Sequence, residues 1–168
     1  MADPHIQSPL DVWDKLTVIC YRSGFVVATL MLALLPYFPN LAQLGLLIAG
    51  TMLASSLHIY LKPIRFTFQF AMWIGLLCQI FGVPTLALGA ALLVIGGLCY
   101  KEYFCFRIFG LAAQPILLAL LWLATVAEIP LAQIILSTIA SLLLLILSIQ
   151  KWRMPLHFDI GDKGKYQV

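Results

Sequence analysis

Charge is scarce in this sequence. Only 10% of its 168 residues are Asp, Glu, Lys or Arg, while 62% are hydrophobic; an ordinary soluble domain carries about a quarter charged residues. A soluble core cannot absorb that much apolar surface, so a water-soluble globular fold is excluded at the outset. The ten Lys and Arg and the seven Asp and Glu fall in short clusters between long uncharged runs. They do not line one helix face, which argues against nucleic acid as a partner.

Cysteine is sparse too. Cys20, Cys78, Cys99 and Cys105 form no CxxC pair and no regular framework, so they read as reduced thiols. The first fifteen residues hold Asp3, Asp11 and Asp14 against a single Lys15, and no small-residue cleavage site follows the first apolar run. A cleaved secretory signal is therefore not expected. The middle of every apolar run lacks Asp, Glu, Lys and Arg, whereas ion-coupled transport usually needs a carboxylate near the membrane midplane. Nor is there a recognisable acid, base and nucleophile set, so the expectation is that the protein is not an enzyme.

What the chain does have is six long apolar runs, at Leu16 to Phe38, Leu41 to Leu61, Phe66 to Val83, Pro84 to Tyr100, Ile108 to Ala127 and Leu131 to Gln150. About 20 apolar residues of helix cross a hydrocarbon layer of about 30 Å, and a backbone in lipid must satisfy its own hydrogen bonds, so each run is expected to be a helix. The fold class expected is an all-α polytopic membrane bundle of six transmembrane helices arranged as three hairpins. Residues 1–15 form an interfacial lead-in, 16–150 the membrane domain and 151–168 a polar tail.

The hairpin turns are Pro39-Asn40, the Gly82 to Pro84 corner and Glu128-Ile129-Pro130, which contain no Lys or Arg. Proline suits the first turn of the helix that follows. The three prolines lie 45 and 46 residues apart, either a trace of hairpin duplication or chance in a Leu/Ala-rich chain. All ten basic residues fall on the opposite face, which the positive-inside rule makes cytoplasmic, with both termini inside. Ser8-Pro9-Leu10-Asp11 reads as a helix start capped by Ser8, with Trp13 at the headgroups. The tail from His157 to Lys165, with two glycines and alternating charges, reads as unstructured.

The candidate functional residues cluster at the basic face. Arg22 lies about two turns into the first run; it either snorkels to the headgroups or pairs with Glu102, the only acid in the internal loops. His58, Tyr60, Lys62 and Arg65 close the second run and its turn, while Lys101, Glu102, Tyr103, Cys105 and Arg107 make the next internal connection. Together they form either a basic, aromatic-lined pocket for an anionic headgroup or phosphate, or plain positive-inside anchoring with an aromatic belt. Cys20, Cys99, Cys105 and His58 share a depth, but their spacing is not a metal signature, and no metal or cofactor is expected. Gln69, Gln79, Gln114 and Gln133, with Gly50-x-x-x-Ala54, suit interhelical hydrogen bonds and close packing.

Four stretches, Tyr21-Arg22-Ser23-Gly24, His58-Ile59-Tyr60-Leu61-Lys62-Pro63, Lys101-Glu102-Tyr103-Phe104-Cys105-Phe106 and Asp159-Ile160-Gly161-Asp162-Lys163, resemble a domain-of-unknown-function family of bacterial and cyanobacterial polytopic membrane proteins. The resemblance implies membrane location and a six-helix fold, and it brings no activity with it. Two functional classes follow. One is a non-catalytic scaffold or assembly factor of the bacterial inner membrane, contacting lipid headgroups or another membrane protein through its basic face. The other is a small transporter or lipid-handling protein with a cavity between hairpins. A midplane cavity lined by Gln69, Gln79 or Gln114 would separate them.

Overall fold

The computed structural model describes residues 10–57 and 59–165, which contain helices and turns and no strand. Seven α-helices are present among the described residues: α1 (Val12–Leu34), α2 (Pro39–Ser55), α3 (Lys62–Ile80), α4 (Pro84–Phe106), α5 (Gln114–Val126), α6 (Pro130–Arg153) and the short α7 (His157–Ile160). A 3₁₀ turn, Leu111–Ala113, leads into α5. The expected hairpins pair α1 with α2, α3 with α4 and α5 with α6.

Helices α1, α2, α4, α5 and α6 close into a ring through successive contacts, and α3 packs outside it against α2 and α4. The burial pattern follows from that placement. Helix α4 buries a full stripe from Ala87 through Leu98 and Cys99, whereas α3 buries only Met72 and Gly75. The remaining surface of α3 is apolar, with Phe70 and Trp73 each 64% exposed. A soluble monomer does not leave such a continuous apolar surface in water; lipid, which offers no penalty to it, is the solvent this exterior fits.

Helices α1, α4 and α6 are long and apolar enough to cross a membrane, and the segment Leu111–Val126 is a shorter apolar helix. The expectation of six spans is thus met in part. Helix α2 has 17 residues, about 26 Å of rise, and α3 opens on Lys62-Pro63-Ile64-Arg65, so its first turn is charged.

Several boundaries differ from the sequence reading, each for a local reason. Helix α1 begins at Val12 because Asp11, not Ser8, is the N-cap: Asp11 and Asp14 form a reciprocal capping box. Ser8 and Pro9 lie outside the described residues. Helix α2 stops at Ser55 and α3 starts at Lys62, with Pro63 in its first turn. Helix α4 runs on to Phe106, so Lys101 to Phe106 are helical and not a connecting loop.

The proline-marked turns show a shared construction. After α3, Gly82 has φ 76°, Val83 N–H donates to the Cys78 carbonyl at 2.8 Å and Gly82 N–H to Gln79 at 3.3 Å. After α5, Glu128 has φ 53°, Ile129 N–H donates to Ala124 at 3.0 Å and Glu128 N–H to Thr125 at 3.3 Å. Both are Schellman caps followed by proline. The first hairpin differs: Phe38 N–H donates to the Leu34 carbonyl at 2.8 Å and no left-handed residue intervenes.

The glutamines work as the sequence suggested. Gln43 donates to the Gln79 side-chain oxygen at 2.7 Å and to the Pro84 carbonyl at 3.0 Å. Gln114 donates to the Ala140 carbonyl at 3.0 Å, Gln133 to Ala124 at 3.1 Å and Gln69 to Ala54 at 3.4 Å. Gly50 faces Met72 and the Ala91 backbone, which is where α2, α3 and α4 approach one another.

Candidate functional site

The charged end of the bundle is organised around a buried ionic network. Lys151, near the end of α6, bonds Glu102 of α4 at 2.9 Å and Asp159 of α7 at 2.6 Å. Arg22, ten residues into α1, pairs with Asp159 at 2.6 Å. Its guanidinium also donates to the Met154 and Pro155 carbonyls, just past the end of α6, at 2.7 and 2.9 Å. Tyr21 donates to Glu102 at 2.8 Å, and Lys101 bonds the same carboxylate at 3.0 Å. The side chains of Arg22, Lys151, Glu102 and Asp159 are all 5% exposed or less.

Every full charge in this core meets an opposite one, as burial requires. Lys151 also lies over the rings of Tyr21, Phe106 and Phe25, at 5.0, 5.5 and 5.9 Å from their centroids, so it is walled by aromatic faces that favour a cation.

Neither alternative read from the sequence for Arg22 is the one found. Arg22 neither snorkels outward nor reaches Glu102; Asp159 takes it, and Lys151 links the two acids. The tail is accordingly not an unstructured end. It folds back as α7, buries Ile160, and donates from Asp162 N–H to the Tyr60 hydroxyl oxygen at 2.9 Å. Lys163 then pairs with Asp14 in the first turn of α1. The residues that sequence reasoning passed over are Tyr21, Lys151 and Asp159. Tyr21 and Asp159 both stood in the stretches that carried the family resemblance, which was the available signal.

Beside the network opens a cleft of about 760 Å³. Its walls come from Ile59 to Leu61, the end of α4 from Lys101 to Arg107, the end of α6 and the tail. Of the candidates named from sequence, Tyr60, Lys101, Glu102 and Arg107 meet here. Arg22 stands behind the cleft, reached through Asp159. Lys62 and Arg65 are not among its lining; both lie over the ring of Phe66 on the first turn of α3, at 5.7 and 5.9 Å. His58 lies outside the described residues. Among the described residues no three His, Cys, Asp or Glu side chains are grouped to hold a metal.

Arg107 has an unusual backbone. It ends α4 in the left-handed region, φ 49° and ψ 35°, where glycine or asparagine normally stands. A second cleft, of about 540 Å³, lies along α4 toward α5 and is lined almost wholly by apolar residues including Phe68, Leu93 and Trp122. Gln69, Gln79 and Gln114 line neither cleft.

Comparison with known proteins places the chain among integral membrane proteins. A family model described as an uncharacterized integral membrane protein (DUF2301) matches residues 82–168, the stretch from the corner before α4 through the tail. The chain is 60% identical to an uncharacterized protein of Haemophilus influenzae over 168 residues, covering all of both chains. No solved structure matches it.

Proposed function

The chain belongs to the DUF2301 family of integral membrane proteins, and from that premise we propose that it is a non-catalytic scaffold of the bacterial inner membrane whose charged end, facing the cytoplasm, is its working surface. The observation that carries this reading is the cleft at that end, built from four separate segments of the chain and braced by the ionic network. A surface assembled from so many segments is held in one shape, which is what recognition of a partner needs. Gln69, Gln79 and the amide nitrogen of Gln114, which would have lined a transport path, are instead spent on interhelical hydrogen bonds, which favours a packed bundle over a conduit. Helices α1 to α6 all cross the bilayer in this reading, the shorter α2 and α5 where the bilayer thins locally, and both termini are inside.

Two measurements test it. In a variant whose only cysteine is Cys105, a membrane-impermeant maleimide should fail to label intact cells and succeed after lysis, while Asn40→Cys in a cysteine-free background should label intact cells. The reverse pattern overturns the orientation. Lys101→Gln combined with Arg107→Gln should then reproduce the phenotype of a deletion strain while the purified protein melts like the parent. Full activity of that double variant in cells overturns the working surface.

A further inference from the structure

We propose that the cleft binds the anionic phosphate headgroup of a membrane lipid, with Arg107 and Lys101 as its cations; this rests on the charged end being the working surface. The first argument is charge. The cleft and the network behind it hold Arg22, Lys101, Arg107 and Lys151 against Glu102 and Asp159, four cations to two acids. At the edge of a low-dielectric bundle such a surplus attracts an anion from outside.

The second argument is which cations are free. Arg22 and Lys151 are committed on every side to Asp159, Glu102 and the Met154 and Pro155 carbonyls. Lys101 spends one bond on Glu102 and remains 31% exposed, with an ammonium group that carries three donors. Arg107 is exposed and makes no ion pair with any described residue. A guanidinium offers a phosphate two parallel donors.

The third is backbone strain. Arginine in the left-handed region costs about 1–2 kcal/mol that glycine would avoid. The left-handed turn closes α4 with a bond from the Arg107 N–H to the Tyr103 carbonyl at 2.8 Å, which glycine would make without the strain, so what arginine adds at this position is its side chain.

The fourth argument selects the source of the phosphate. Ile59, Leu61, Phe104, Met154 and Phe158 share the cleft with these cations, and Leu61 and Phe104 are each about half exposed. A free phosphate has no use for that wall, whereas the glycerol and first acyl carbons of a lipid would cover it. The rival account is that Arg107 merely faces the negative end of the α4 dipole, which would leave the cleft without anion preference.

The test uses the full-length protein in nanodiscs of phosphatidylcholine, titrated with phosphatidylglycerol and read by native mass spectrometry after release. Preferential retention of phosphatidylglycerol is expected, about tenfold weaker in Arg107→Gly, a change that relieves the backbone and so should not lower the melting temperature. Lys62→Gln, whose side chain lies outside the cleft, should retain the lipid. Displacement by millimolar inorganic phosphate, lost in Arg107→Gly, would overturn the lipid as the source and leave free phosphate as the ligand. Equal retention by parent and Arg107→Gly overturns the site. If retention is equal while the Lys101 and Arg107 double variant still reproduces the deletion phenotype, the lipid assignment falls and the scaffold reading stands.

Discussion

The two ends of the bundle solve the same problem with different chemistry. At the proline-marked end, helices are joined by neutral donors: Gln43 to Gln79 and to the Pro84 carbonyl, Gln133 to Ala124, and the Trp122 indole to the Thr85 carbonyl at 2.8 Å. At the charged end, four ionised side chains and a returning tail do the joining. Neutral interhelical bonds are worth little each but fail independently. A buried ionic network is a single unit, since removing one member strands the others in a medium that cannot solvate them. The charged end therefore trades tolerance to mutation for a fixed arrangement of side chains.

The sharpest way to break this contrast is Lys151→Met, which leaves Glu102 and Asp159 facing one another without their shared cation. A loss of about 3–5 kcal/mol is expected, measured by denaturant unfolding in detergent; a loss below about 1 kcal/mol would mean the network adds no more than the neutral end does. Of intermediate size, and opposite in sign, is Glu128→Gly at the other end. Glu128 holds the Schellman position that Gly82 holds in the preceding hairpin, so glycine should raise stability by about 1 kcal/mol, visible as a higher melting temperature. The smallest effect is expected from Gln79→Leu. Gln43 keeps its bond to the Pro84 carbonyl, and the loss should be about 0.6 kcal/mol in the same unfolding assay.

The hairpin plan was legible because its causes are local. Apolar length, proline at the start of α2, α4 and α6, and the segregation of Lys and Arg each act within a few residues, and each survives in the structure. The wiring of the site was not legible, because its causes are distant. Lys151 lies two residues before the end of α6 and reads as an interfacial anchor; only α4 and α7 packing over it make it a core residue. Asp159 stands in a stretch whose glycines and alternating charges have the composition of a solvated tail. Its partner Arg22 has no nearby acid in the chain to suggest a pairing, and both snorkelling and a pair with Glu102 missed Asp159 because the tail's return was not visible. The membership of Tyr60, Lys101, Glu102 and Arg107 in one cleft was legible, since the hairpin order alone brings the start of α3 and the end of α4 to one end.

The Arg22 to Asp159 bond spans 137 residues, and Tyr60 and Asp14 reach partners in the same late segment across 102 and 149 residues. During synthesis α1 emerges with its guanidinium long before any of these partners exists. Until the Asp159 segment arrives, the growing protein carries an uncompensated cation ten residues into its first helix. Arrival of the Asp159 segment is thus also the moment the bundle locks, and a product cut short after α6 would present an orphaned arginine for quality control to find.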